Sequence, residues 1–173
     1  MPNLKTIVAC ADETVAKYGT RDPAVLAKEM GVEVYYCDFS RQRGAYKVIL
    51  RNRFAFINGN LDDISKRIVL LHELGHDVLH RREAVKVGGF SEFNLFAAKE
   101  NRLEYEANAF AAQIELPDDE FLACCEKGYD INQIAMAMNS DANLVAIKAD
   151  ILISQGHNLR AQEHRDDFLK YDK

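Results

Sequence analysis

Two histidines four residues apart, His72 and His76, with Glu73 beside the first, constrain the fold of this 173-residue chain more than any other feature. An α-helix turns once in about 3.6 residues, so side chains at this separation share a face and their Nε2 atoms can converge on one cation. Glu73 then projects next to the same ion, where a carboxylate can take a proton from water. The pattern carries this meaning only in the middle of a helix, and only if a second element brings up the remaining ligand.

The flanking sequence predicts that helix. Asn60-Leu61-Asp62-Asp63 offers an N-cap with an acid three residues on, and both aspartates fall where the helix dipole favours negative charge. Ile64, Ile68, Leu71, Gly75, Val78 and Leu79 recur at helical spacing, so one apolar stripe runs as far as His80. Glycine in a helix interior costs about 1 kcal/mol relative to alanine, so Gly75 implies that a neighbouring backbone or strand approaches closely.

A catalytic metal usually keeps three protein ligands and one open position. His80 continues the file of histidines, but each four-residue step climbs about 6 Å along the axis, too far for three to share one ion. Arg82 occupies the position six residues after His76 where another arrangement would place a histidine. A second helix predicted over 97–116, with Leu103, Ala107, Phe110, Ala111 and Ile114 as its apolar face, offers two competing acids. Glu104 is nearly in phase with that face and stands four residues before Asn108, whose amide can support a metal-bound histidine. Glu106 lacks such a partner and is turned toward solvent, so Glu104 is preferred. The plain alternative makes both of them exposed helical charges, like Glu100 and Glu115.

His72-Glu73-Leu74-Gly75-His76, followed by Glu104-Tyr105-Glu106-Ala107-Asn108-Ala109-Phe110-Ala111 and then Leu116-Pro117, resembles the ImmA/IrrE family of metallo-endopeptidases, in motif order and in separation. The likeness covers most of residues 1–155. It implies an α+β, mainly helical zincin-like fold with a small three-stranded sheet near the motif helix. It also implies His72, His76 and Glu104 as metal ligands and Glu73 as catalytic base. The implied function is regulatory: cleavage of a helix-turn-helix repressor of a phage, a mobile element or a stress regulon. Two imidazoles and a carboxylate favour Zn2+, while Mn2+ or Fe2+ would tolerate the same set. An oxyanion donor is expected among Tyr35, Tyr36, Tyr46, Tyr105 and His80, between which the sequence does not choose. Two rival classes stay open. One is a non-catalytic anti-repressor with a structural metal, and the other a domain in which these side chains merely pack.

The rest of the chain bounds the class. With 48% hydrophobic residues, one domain over 1–155 with a sizeable core is expected, followed by a charged tail over 156–173. A net charge of -5 gives no reason to expect nucleic-acid affinity. Cys10, Cys37, Cys124 and Cys125 form no metal-binding or redox spacing, which suits reduced thiols in a cytoplasmic protein, and no apolar run is long enough for a membrane. Leu4, Ile7, Val8, Ala11 and Val15 mark a first helix, and Asp22-Pro23 caps a second that runs to Gly31. Strands are predicted over 32–39, 46–50 and 54–57. The last, just before the motif helix, is expected to be an edge strand able to pair with an extended substrate. Gly88-Gly89 marks a connector or a covering loop. Helices over 118–127, 130–138 and 141–155 follow, the last two with the rhythm of a helix-turn-helix. Lys148 is the lone basic residue of the third, so packing or partner docking is expected there rather than DNA reading.

Overall fold

The structure, a computed structural model, describes residues 4–88 and 98–159, with the side chains of 98–101 excepted. Gly89 of the predicted connector, the Glu100 side chain and the tail beyond 159 lie outside the described residues. Eight helices and one three-stranded sheet are described: α1 Leu4–Tyr18, α2 Pro23–Met30, β1 Val32–Cys37, β2 Gly44–Ile49, β3 Asn52–Asn58, α3 Asp63–Leu79, α4 Arg81–Val87, α5 Ala98–Glu115, α6 Asp118–Glu126, α7 Ile131–Ala137 and α8 Ala142–Ser154. The fold is α+β and mainly helical.

Local chemistry sets the boundaries. Asp22 accepts from the backbone N–H groups of Ala24 and Val25 to start α2, and Gly31 ends it at φ 71°, a left-handed conformation that glycine adopts without strain. The cap of α3 is Asp62, which accepts from Ser65 N, not Asn60: Asn60 instead donates to Asp38. The helix α4, absent from the sequence reading, takes up the segment directly after His80 and buries Ala84.

The sheet runs in the order β1-β3-β2, with β1 parallel and β2 antiparallel to β3. This corrects the expected edge strand. β3 is central, paired on both sides, and carries the fully buried Ala55 and Ile57. The strand that borders the motif helix from the rim is β2. A Cβ built on Gly44, its first residue, would meet Glu73 Oε1 at 2.5 Å and Val69 Cγ1 at 2.6 Å.

α5 lies against α3, α1 and α8. Its junction with α3 is made by small residues: a Cβ on Gly75 would meet Ala107 O at 3.1 Å and Ala107 Cα at 3.2 Å. The close approach implied by Gly75 is therefore to the backbone of α5. Arg67 of α3 donates to the Glu115 carboxylate (Nε to Oε1 2.9 Å) and to Asn139 O, which ties the end of α5 to the turn after α7. Glu115 is thus not a free surface charge. α8 is buried along most of its length, Lys148 included. Lys148 Nζ donates to Gln113 Oε1 at 2.6 Å and pairs with Asp118, so it offers nothing to a phosphate. No helix among the described residues is long and apolar enough to cross a membrane.

Candidate metal centre

The C-terminal half of α3 is buried through His72, Glu73, Leu74, Gly75, His76 and Asp77, so the polar residues of the motif face protein rather than water. Because Gly75 lets α5 touch α3, a carboxylate on α5 can reach the two imidazoles. Glu104 does so: Oε2 lies 3.1 Å from His72 Nε2 and Oε1 lies 3.6 Å from His76 Nε2. The two Nε2 atoms are 3.1 Å apart. Of the two competing acids, Glu104 is the one brought to the histidines.

The chemistry of these donors fits a cation. Asn108 Oδ1 lies 2.8 Å from His72 Nδ1; as a carbonyl acceptor it holds the ring proton there and leaves His72 Nε2 with its lone pair. Burial pushes the His76 imidazole down to about 4, so it is neutral at ordinary pH. Glu104 sets a carboxylate, which only accepts, against the same two nitrogens. Electron-rich atoms thus crowd one point, an arrangement that repels itself unless a positive ion sits among them. Ligands arranged tetrahedrally on bonds of about 2.0–2.1 Å are separated by about 3.3 Å, which the spacings of 3.1 to 3.6 Å bracket. His72, His76 and Glu104 form the group able to hold an ion among the described residues.

Glu73 is 2% exposed and lies against the backbone of Gly44. The five residues considered as oxyanion donors are scattered. Tyr35 and Tyr36 stand exposed on β1, which β3 separates from β2, and the Tyr35 hydroxyl donates to Glu33. The Tyr46 hydroxyl is fully buried and donates to Asp77 at 2.6 Å. Tyr105 is half-buried on α5. His80 is buried at the end of α3, its Nδ1 3.0 Å from His76 Nδ1 and its Nε2 3.0 Å from Glu106 Oε2.

Glu106 is the main correction at the site. Two residues on a helix do rotate it by about 200° from Glu104. What it meets there is His80, and Arg102, which donates to its other oxygen at 2.6 Å. The signal was present in the i,i+4 file His72, His76, His80, which ended in a side chain without an assigned partner. A second buried cluster also went unread. Asp77 accepts from Tyr46, from Arg53 at 2.9 Å and from Arg81 at 2.7 Å, which joins β2, β3 and the start of α4 to the motif helix.

Residues 27–149 match the profile of the family described as Peptidase_M78, IrrE N-terminal-like domain. A protein of Bacillus phage phi105, named uncharacterized immunity region protein 2, is 31% identical over 143 residues, 82% of this chain and 88% of that protein. Both matches span the motif helix and α5, and the chain belongs to the ImmA/IrrE family of Peptidase_M78 domains.

Proposed function

We propose that this protein is a metal-dependent endopeptidase, zinc-loaded in its working form, that cleaves a helix-turn-helix repressor of a phage or mobile-element immunity system. The observation that carries the reading is the meeting of His72 Nε2, His76 Nε2 and a Glu104 oxygen beside the buried Glu73 carboxylate. Membership of a peptidase family supports the reaction class, and the name of the phi105 relative supports an immunity setting. A repressor substrate would put the protein in the cytoplasm, where the four cysteines, all free, would stay reduced.

When bound, the ion supplies Lewis acidity, which draws the pKa of a water toward neutrality and polarises a carbonyl. Glu73 takes the proton of the attacking water on its carboxylate and returns it to the departing amine nitrogen. Asn108 keeps the His72 ring turned with its bare nitrogen inward. The outer edge of β2, which has no strand partner among the described residues, offers backbone donors and acceptors to an extended peptide beside Glu73. The substrate-pairing role expected of the strand before α3 thus moves to β2.

The test is Glu73→Ala with a candidate helix-turn-helix repressor as substrate. The variant should bind zinc and repressor as the parent does, and lose cleavage by a factor on the order of 100 or more. Repressor inactivation that survives the change would refute the peptidase and leave a binding anti-repressor.

A further inference from the structure

His80 and Glu106 belong to neither the ligand set nor the proton-transfer step, yet both are buried and in line with a ligand. From Arg102 the contacts run to Glu106, then His80, then the back of His76, with separations of 2.6, 3.0 and 3.0 Å. We propose that Glu106, acting through His80, fixes the ring proton of His76 on Nδ1 and so delivers His76 Nε2 bare to the ion.

The order of protons follows from the ends of the chain. Arg102 Nε donates to Glu106 Oε1 at 2.6 Å, so the carboxylate is paired with a guanidinium, the partner of its ionised form. An ionised carboxylate only accepts, so the proton between Glu106 Oε2 and His80 belongs to His80 Nε2. In an imidazole that carries its one ring hydrogen on Nε2, Nδ1 is the acceptor. With His80 Nδ1 accepting, the hydrogen in the 3.0 Å gap to His76 Nδ1 belongs to His76. His76 Nε2 keeps its lone pair, directed at His72 Nε2 and Glu104. His72 reaches the same state in one step through Asn108. α5 therefore supplies a ligand, Glu104, and the residues that set the proton on both ligating imidazoles, Asn108 directly and Glu106 through an intervening ring. Glu106 and His80 are positioning residues.

The inference rests on the metal-site reading given under Proposed function, and its test separates the two. In protein carrying 15N-labelled histidine and no metal, long-range proton–nitrogen spectra report which nitrogen of each ring holds hydrogen. Parent protein should show His76 protonated on Nδ1 and His80 on Nε2, whether or not zinc later binds. Zinc affinity is then measured by competition with a coloured chelator for His80→Leu, His80→Asn and Glu106→Ala. His80→Leu keeps bulk but loses the acceptor, and should weaken zinc binding about 10–100-fold. His80→Asn puts a carbonyl near the place of Nδ1 and should retain most of the affinity. A packing role would give the opposite order, since leucine suits a buried site better than asparagine. Glu106→Ala, which frees the His80 proton, should fall with the leucine variant and stands in for it if the latter does not fold, as judged by metal-free melting. Protonation of His76 on Nε2 in the parent, or affinity in the leucine variant equal to the parent's, overturns the proposal. Failure of the parent to bind zinc sinks the metal site instead, while the proton positions still decide the relay.

Discussion

At Gly44 the absence of one methyl group keeps the strand backbone in contact with the Glu73 carboxylate. Gly44→Ala would set a carbon 2.5 Å from Glu73 Oε1 and 2.6 Å from Val69 Cγ1, closer than such atoms pack, so the carboxylate must move. Displacement of a catalytic group by an ångström costs about a hundredfold in rate. The expected result for the alanine variant is a loss of that order in repressor cleavage with zinc affinity unchanged, measured by gel kinetics and chelator competition. A variant as active as the parent would show that cleavage does not depend on the contact of Glu73 with β2. Nothing in the sequence signals this role of Gly44, because the residues it faces are 25 and 29 positions away. His72, Glu73 and His76, by contrast, were legible because their relation is local to one helix.

Among the elements, the connection of sheet to motif helix depends on Asp77, which is wholly buried and receives Tyr46, Arg53 and Arg81. Burial raises the Tyr46 hydroxyl above its ordinary value, and its bond to Asp77 and that residue's charge raise it further. The unfolded chain releases this proton near pH 10 and the folded chain retains it, so the contribution to stability is present below pH 10 and is lost as pH rises beyond it. Urea melts between pH 9 and 11 should show the parent losing stability more steeply than Tyr46→Phe; parallel slopes would count against the buried bond. The helices themselves were readable, because an apolar stripe and a cap residue are consecutive information. Strand order is not: a run of residues before α3 does not say which strands flank it, and the central place of β3 follows from pairing with β1 on one side and β2 on the other. Glu106 and Glu115 misled for the same reason, since helical phase says which way a side chain points and not what another element brings to meet it.

For the molecule as a whole, α5 is both scaffold and part of the candidate site. It packs on α1, α3 and α8 and bears Glu104, so an ion held between α3 and α5 binds only the assembled fold. Zinc at a hundred times its dissociation constant should therefore stabilise the protein by about 2.7 kcal/mol, read as a rise in melting temperature that a chelator reverses. Glu104→Gln should melt close to the metal-free parent and respond less to zinc. An equal response in that variant would place the ion elsewhere. The run of β2 from Gly44 to Ile49, on the reading proposed above, also gives the site a sense of direction. A guest chain laid antiparallel along the outer side of β2 enters with its amino end toward Ile49 and passes Gly44 and Glu73 last. Scission then falls downstream of the residues that are gripped, and the choice of target is written on the amino-terminal side of the broken bond.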